Sequence, residues 1–232
     1  MAYSVRWIDS VDSTNLYLKT HPDLPDKQVI ATLDQTAGRG RLGRGWDCPK
    51  GGLAFSILEK DPPAKPSFLP LLSGVALSKT MEKRGYLPSI KWPNDVYLSG
   101  KKAAGILVEG LSEGPKTLYI VGIGVNLNQD AFPSLPGATS LFLEKKEAVE
   151  PEPFLEEFLS AYEETLLDPS ASLAYLREHD FLKGKRITLN YYGEGIQGKS
   201  LGIDEDGELL LLAPNGDIKK ISSGEASLLR TK

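Results

Sequence analysis

Twelve residues, Gln35-Thr36-Ala37-Gly38-Arg39-Gly40-Arg41-Leu42-Gly43-Arg44-Gly45-Trp46, constrain this chain more than any other stretch. The glycines free the backbone to reach positive φ and to approach a ligand closely. The arginines between them are permanently charged and shaped for two-point contact with an anion. Such a segment suits neither a core nor a helix. Gly38-x-Gly40-x-x-Gly43 has the spacing of a dinucleotide fingerprint, but that fingerprint needs a helix to open within the glycines. Gly45, Pro49, Gly51 and Gly52 oppose one. A P-loop is excluded too, because no Gly-Lys-Ser/Thr follows. A buried-looking strand over 28–33 runs into the segment and another over 53–58 leaves it. Long loops without structure of their own are uncommon unless functional. The charge of this one suits an anionic ligand that orders it on binding.

With 232 residues, 41% of them hydrophobic and 25% charged, the chain can support one main domain and a small appendage. A net charge of −4 argues against a general nucleic-acid binder, so any phosphate chemistry must use local basic groups. Cys48 is the only cysteine, which excludes an internal disulfide and fits a reducing compartment. Residues 1–10 carry no signal-like segment, and no apolar run reaches membrane-spanning length. The expected location is the cytoplasm, with no membrane contact. His21 and His179 are the only histidines, so a histidine-based metal site is not expected, and His179 reads as a surface helix residue.

Residues 3–8 read as a short strand. Asp12 or Ser13 is a natural N-cap for a helix running through Lys19, and the free N–H groups of such a start can equally grip a polar or anionic ligand end. Ser67 is expected to cap a helix with Phe68, Leu71, Leu72 and Val75 on one face, ended by Gly85. In Lys91-Trp92-Pro93-Asn94-Asp95, Pro93 holds Trp92 extended, and Asn94 and Asp95 sit in a turn, facing a ligand or serving the turn itself. Residues 96–98 and 102–109 form a hairpin around Ser99-Gly100, whose antiparallel pairing excludes a Rossmann sheet. Strand alternation places Lys102 on the face of Ala104, Ile106 and Val108, with Gly105 opposite and Lys101 pointing away. A lysine facing the interior or a cleft calls for an anion; at an exposed tip it would need none. A strand over 117–127 carries Gly122 and Gly124, which admit a flat ligand or mark a bulge. Asn126 offers the donor and acceptor that an adenine edge needs.

From Pro151 the pattern turns helical, with Leu155, Phe158, Leu159, Tyr162 and Leu166 on one side and Glu156, Glu157, Glu163 and Glu164 on the other. A second helix is expected over 172–181. Beyond 184, short strands over 187–191, 195–203, 208–212 and 218–221 are linked by Asp206-Gly207 and Asn215-Gly216, both strong hairpin signals. The fold class is α+β: a mixed, largely antiparallel sheet with flanking helices over 1–183, then a small all-β domain over 184–232 held mainly by docking.

Taken together, Asp12-Ser13-Thr14-Asn15, Gln35 with Gly38-Arg39-Gly40-Arg41, Trp46, Lys91-Trp92-Pro93-Asn94-Asp95, Lys102-Ala103-Ala104-Gly105-Ile106-Leu107-Val108-Glu109 and Gly122-Ile123-Gly124-Val125-Asn126 resemble the biotin–protein ligase family in its short form. They stand in the family's order, and the resemblance covers nearly the whole chain. It implies a class II synthetase-like catalytic domain and an SH3-like β-barrel. It implies that biotin and ATP, with Mg2+, give biotinyl-5′-adenylate, and that the biotinyl group passes to a lysine of a biotin carboxyl carrier protein. Ser13, Thr14 and Gln35 would hold the ureido end of biotin with support from Asn15, and Gly105 would line its site. Gly38, Arg39, Gly40 and Arg41 would wrap the carboxyl and phosphate region. Arg44, Trp46, Lys91, Asn94 and Asn126 would meet the nucleotide, the two asparagines reading adenine. Lys102, with Arg39 and Arg41, would offset charge at the reacting centre, and Asp95 would orient or deprotonate the incoming amine. The ligands of Mg2+ are not legible. A homodimer is admitted, with no surface marked for it. The Asp12-Ser13-Thr14 motif begins too near Met1 for the helix-turn-helix domain some members carry, so no DNA partner is expected. The rivals are a lipoate–protein ligase, a nucleic-acid-binding module built on the Arg/Gly loop, and a non-catalytic biotin store.

Overall fold

The computed structural model describes residues 3–46, 48, 50–113, 116–191 and 194–229. Strands β1 (Ser4–Trp7), β2 (Gln28–Thr32), β3 (Gly52–Glu59), β4 (Pro88–Lys91), β5 (Asp95–Leu98), β6 (Lys101–Glu113) and β7 (Lys116–Asn126) form one sheet in the order β1-β2-β3-β7-β6-β5-β4. The β1–β2 ladder is parallel and the others are antiparallel, so the sheet is mixed as the hairpin required. Ser99 and Gly100 both take positive φ (48° and 76°), the geometry of a tight hairpin turn.

The two faces of this sheet are separated by strand alternation. Leu53, Phe55, Ile57, Val121, Ile123 and Val125 point to one side and pack against α2 (Leu69–Lys83) and α4 (Pro151–Leu167) through Leu72, Phe154, Phe158 and Tyr162. On the other side Ile30, Leu58, Leu118 and Ile120 pack under Leu18 of α1 (Thr14–Thr20). Farther along that face β7 continues Gly122, Gly124, Asn126, and β6 offers Gly105 beside Gly124. On β7 the apolar side chains stop there, and the glycines leave the strand backbone bare of its own side chains.

Between these elements and the chain end come α3 (Leu141–Lys145) and α5 (Pro169–Glu178), then β8 (Arg186–Tyr191), β9 (Glu194–Ile203), β10 (Leu209–Leu212), β11 (Ile218–Ile221) and β12 (Glu225–Leu228). The last five make an antiparallel sheet in the order β11-β10-β9-β8-β12. Its apolar side (Ile187, Leu189, Leu209, Leu211) shares a core with Leu71 and Val75 of α2, Ile90 and Trp92. Docking therefore does bury the small sheet, and Trp92 Nε1 ties it further by donating to Gly207 O at 3.1 Å. No helix among the described residues is long and apolar enough to cross a membrane.

Several local expectations are corrected. Ser67 does not cap α2: a 3-10 turn over Pro66–Phe68 leads in, Phe68 stands at the cap without a side-chain bond, and Pro70 fills a first-turn position where its missing N–H is no loss. The α5 helix starts at Pro169, capped by Asp168 Oδ1 on Ala171 N at 3.0 Å, and ends at Glu178 rather than Phe181. His179 is no bystander. Its ring stacks on Tyr175, Nε2 lies 2.9 Å from Glu82 Oε1, and its carbonyl accepts from Ile90 N. Strand β12, which the sequence reading passed over, closes the small sheet against β8.

Candidate active site

The bare part of the sheet face is the floor of a cleft of about 470 Å³. Its walls are the start of α1, the Arg/Gly loop, the β4–β5 turn, residues 132–138, and 225–227 of β12.

At one corner Ser13 caps α1, its Oγ accepting from Leu16 N at 3.3 Å. Thr14 N donates to Gln35 Oε1 at 3.0 Å, and Thr14 Oγ1 lies 3.2 Å from the same oxygen. Asn15 is buried, with its amide against Gly122, where a Cβ would come within 2.7 Å of Asn15 Cγ. Gln35 is fixed at its backbone, since Thr36 N and Ala37 N donate to Val11 O and Asp12 O.

The Arg/Gly loop is not the unstructured tether that its sequence suggests. It folds back as a hairpin, with Trp46 N donating to Gly38 O at 2.9 Å and Gly40 N to Arg44 O at 2.7 Å. A 3-10 turn spans Arg41–Gly43, where Leu42 and Gly43 both take positive φ (56° and 73°). Gly38 does not line the cleft. It sits at the hairpin base, where a Cβ would collide with Gln35 Nε2 and Trp46 O. Two of the three arginines already have partners within the protein. Arg41 Nη1 donates to Gly224 O at 3.0 Å and Asn94 Oδ1 at 3.3 Å, and Arg44 pairs with Glu225. Arg39 is exposed at the rim.

Trp46 lies flat on the floor. A Cβ at Gly124 would collide with its indole, and one at Gly105 would come within 2.9 Å of Cζ3. Lys102 Nζ stands 5.4 Å from the same ring, a cation–π distance. The orientation of Lys102 corrects the alternation argument. A bulge between Val96 and Tyr97 pairs Tyr97 with Lys102 but Val96 with Ala104. The extra residue switches parity, so Lys102 shares a face with Gly105 and Asp95, not with Ala104 and Ile106. Its Nζ meets Asp95 Oδ1 at 2.7 Å, and Lys101 is exposed.

Five cations line the cleft (Arg39, Arg41, Arg44, Lys91, Lys102) against two carboxylates, Asp95 and Glu225. An acidic chain has thus gathered a local excess of positive charge. Burial lowers the pKa of both Lys91 and Arg41, with Asp95 opposing the shift in each. Lys91 Nζ stands 5.4 Å from the Tyr97 ring centroid. Both asparagines assigned to adenine already have protein partners. Asn94 Nδ2 donates to Ile106 O at 2.8 Å, and Asn126 Nδ2 donates to Thr139 O at 2.9 Å while its Oδ1 accepts from Gln129. Asn126 thereby pins the 129–139 segment that walls the cleft, helped by the Lys102–Ala138 backbone bridge.

The sequence reading missed three contributors: Phe132 and Leu135 in that wall, residues 224–227, and Ser56 behind Thr14. Pro133 and Pro136, each directly following an apolar residue, were a signal for a stiff loop with something to cover. Nothing in Glu225-Ala226-Ser227-Leu228 singles it out. Cys48 is buried beside Gln35, and burial pushes its thiol up to about 11, so it stays protonated at neutral pH.

A model of the Biotin/lipoate A/B protein ligase family matches residues 7–126, and one of the Biotin protein ligase C terminal domain matches 183–229. The Biotin--[acetyl-CoA-carboxylase] ligase of Paracoccus denitrificans is 36% identical over 88% of this chain and 92% of its own. The Bifunctional ligase/repressor BirA of Bacillus subtilis is also 36% identical, over 88% and 67%. Among solved structures, a biotin protein ligase from Aquifex aeolicus in complex with biotin and ATP superposes with a TM-score of 0.86 at 34% identity, covering 98% of this chain and 99% of that one.

Proposed function

The chain belongs to the biotin/lipoate A/B protein ligase family, and from that premise we propose that it is a biotin–protein ligase, joining biotin to ATP as biotinyl-5′-adenylate and passing it to a carrier-protein lysine. The observation that carries this reading is the pairing of a neutral polar corner with a cationic one across a glycine floor. A ligand with a polar, uncharged head and a carboxylate that must meet a triphosphate matches that division. A structural neighbour with biotin and ATP bound favours biotin over lipoate.

In this reading Ser13, Thr14 and Gln35 hold the ureido end, and Trp46 packs on the flat parts of the ligand. Lys102, Arg41 and Arg39 offset negative charge as the biotin carboxylate attacks the α-phosphorus and pyrophosphate leaves. Lys91 and Arg44 meet the phosphates. Asp95, next to Lys102, orients the carrier amine for attack on the adenylate carbonyl. Asn94 and Asn126 act first by positioning: one braces Arg41, the other the wall at 129–139. Magnesium enters on the triphosphate, since Mg2+ keeps several waters and needs few protein ligands.

We divide the chain at 183/184 into a catalytic domain and a C-terminal domain, and assign the enzyme to the cytoplasm, where ATP and a reduced Cys48 are at home. The acceptor is the biotin carrier segment of a carboxylase, by the name of the Paracoccus relative. Homodimerisation, proposed from the family resemblance, and the lack of DNA binding, proposed from net charge, are read out by sedimentation and gel shift. The decisive test is incubation with MgATP and either biotin or lipoate, followed by mass spectrometry. Biotinyl-adenylate alone is expected; lipoyl-adenylate, or no adenylate, overturns the reading.

A further inference from the structure

Behind the neutral corner lies a row of polar groups of which Ser56, Glu109 and Lys19 line no part of the cleft. Ser56 of β3 is fully buried, its Oγ 2.7 Å from Thr14 Oγ1 and 2.6 Å from Asn15 Oδ1. On the far side of Asn15, Nδ2 donates to Glu109 Oε2 at 2.8 Å and lies 3.4 Å from Leu107 O, while Lys19 Nζ meets Glu109 Oε1 at 2.5 Å. None of these contacts is explained by the strand ladder. A buried serine facing two oxygens calls for an account of its single proton.

The proton can be followed from one end. Burial pushes the Glu109 carboxyl up, but the hydrogen bonds from Lys19 and Asn15, together with the charges of Lys19 and Arg39, outweigh it and hold the group below the usual range. Glu109 is therefore a carboxylate at neutral pH and accepts only. Asn15 must present its NH2 there, which points Oδ1 at Ser56. That carbonyl oxygen also accepts only, so at 2.6 Å the Ser56 proton must lie between the two. Ser56 then has only lone pairs left for Thr14, whose hydroxyl donates inward over 2.7 Å rather than to the more distant Gln35 Oε1. Gln35 Oε1 keeps the Thr14 backbone N–H. What remains of Thr14 Oγ1 toward the cleft is a lone pair.

We infer that Ser56 and Glu109, acting through Asn15, form a one-way hydrogen-bond relay that makes Thr14 Oγ1 an acceptor in the cleft, matched to a ureido N–H donor of the ligand. The inference rests on the biotin-ligase reading above. Ser56 and Glu109 are positioning residues, since neither lines the cleft. The relay explains why Gly122 bears no side chain: a Cβ there would drive Asn15 off its two partners. It also gives a reason for placing a carboxylate at position 109, on the same strand as Lys102 but outside the cleft lining.

A double-mutant cycle in the full chain tests it. Adenylate formation is measured against biotin concentration for wild type, Ser56→Ala, Thr14→Val and the double variant, with thermal unfolding as a check on folding. Ser56→Ala should raise KM for biotin by roughly three- to tenfold, the worth of one directed hydrogen bond, with kcat and KM for ATP little changed. In a Thr14→Val background it should add nothing, because there is no hydroxyl left to orient. Glu109→Gln, near-isosteric at a partly buried position, lets the Asn15 amide take either orientation. It should raise KM for biotin by a smaller factor, again with no effect once Thr14 is valine. Losses that multiply in the double variants, or a fall in kcat at unchanged KM, overturn the relay while leaving the ligase reading intact. A wild-type enzyme that forms no biotinyl-adenylate overturns the ligase reading itself.

Discussion

At the Thr14 corner of the cleft, polar atoms hold one another in place; at the Lys102 corner, positive charges crowd one another. The first corner has no net charge and is closed into a network running Gln35, Thr14, Ser56, Asn15 and on to the Glu109–Lys19 ion pair. Its geometry is set before any ligand arrives, which is how a site recognises an uncharged head with few donors and acceptors. The second corner holds Arg41, Lys91 and Lys102 with Asp95 as the shared counter-charge. There the protein tolerates an electrostatic cost that an anion removes. In the proposed reading, recognition belongs to the pre-bonded corner and catalysis to the charged one.

The largest expected effect falls on the cationic side. If Lys102 acts as proposed, Lys102→Ala removes charge that offsets the reacting carboxyl and α-phosphate, and should slow adenylation by roughly 10²–10³-fold, the scale of losing one oxyanion-stabilising donor. Biotin affinity should fall much less, because the head is held at the other corner. Lys101→Ala should be nearly silent, since its side chain is exposed. Rapid-quench adenylate formation and equilibrium biotin binding on both variants read this directly; a Lys102 variant that fails only in binding biotin would erase the division between the corners.

Next comes Gly122→Ala on the neutral side. The new methyl would stand within 2.7 Å of Asn15 Cγ, so Asn15 must shift and the network opens. Overpacking of this sort costs roughly 1–3 kcal/mol of stability, and KM for biotin should rise by about tenfold or more. Gly110→Ala on β6 is the control, because its nearest neighbour would lie 3.5 Å away. Calorimetry and biotin titration of the pair would expose a merely general intolerance of side chains in these strands if both behave alike.

A third variant separates stability from function. Burial lowers the Lys91 pKa, so the amine holds its proton less tightly in the folded state than in the unfolded chain. A base depressed in this way adds stability only above its unfolded pKa, and that stability is lost as pH falls through the folded value. At neutral pH Lys91 is on the costly side. Lys91→Met should therefore raise Tm by a few degrees in the absence of ligand while raising KM for ATP several-fold. A drop in Tm at pH 7 would show that Asp95 and the Tyr97 ring more than compensate the charge.

Much of this was legible in the residues. Alternation and the Ser99-Gly100 turn gave the mixed sheet, the hairpin dipeptides gave the small domain, and residues from distant stretches were grouped correctly enough that all but Gly38 line one cleft. The misses share a cause. A period-two argument assumes an unbroken ladder, and nothing in Lys101-Lys102-Ala103-Ala104-Gly105 announces the bulge that turns Lys102 over. Ser56 is an ordinary serine inside an apolar strand, and its meaning appears only when β3 brings it beside α1. Residues 224–227 and 132–138 follow turns whose tertiary destination short-range pattern does not encode.

The smallest effect concerns the seam between the loop and the C-terminal sheet. Arg44 is largely exposed (65%) and pairs with Glu225 at 25% exposure, so the pair should contribute less than about 1 kcal/mol. Arg41 reaches the neighbouring Gly224 carbonyl, which makes two clasps from one loop to one turn. An arriving triphosphate offers Arg44 a stronger partner than Glu225, so ligand should exchange one clasp for another rather than order a free loop. Amide exchange over 39–44 should accordingly be intermediate without ligand and slower with biotinyl-adenylate. Glu225→Gln should speed exchange in the ligand-free protein only, and lower KM for ATP by about two- to threefold as a competitor for Arg44 is removed. Faster exchange of the Glu225 variant in the adenylate complex as well would mean that the clasp persists through the reaction, and that the loop belongs with the rigid corner after all.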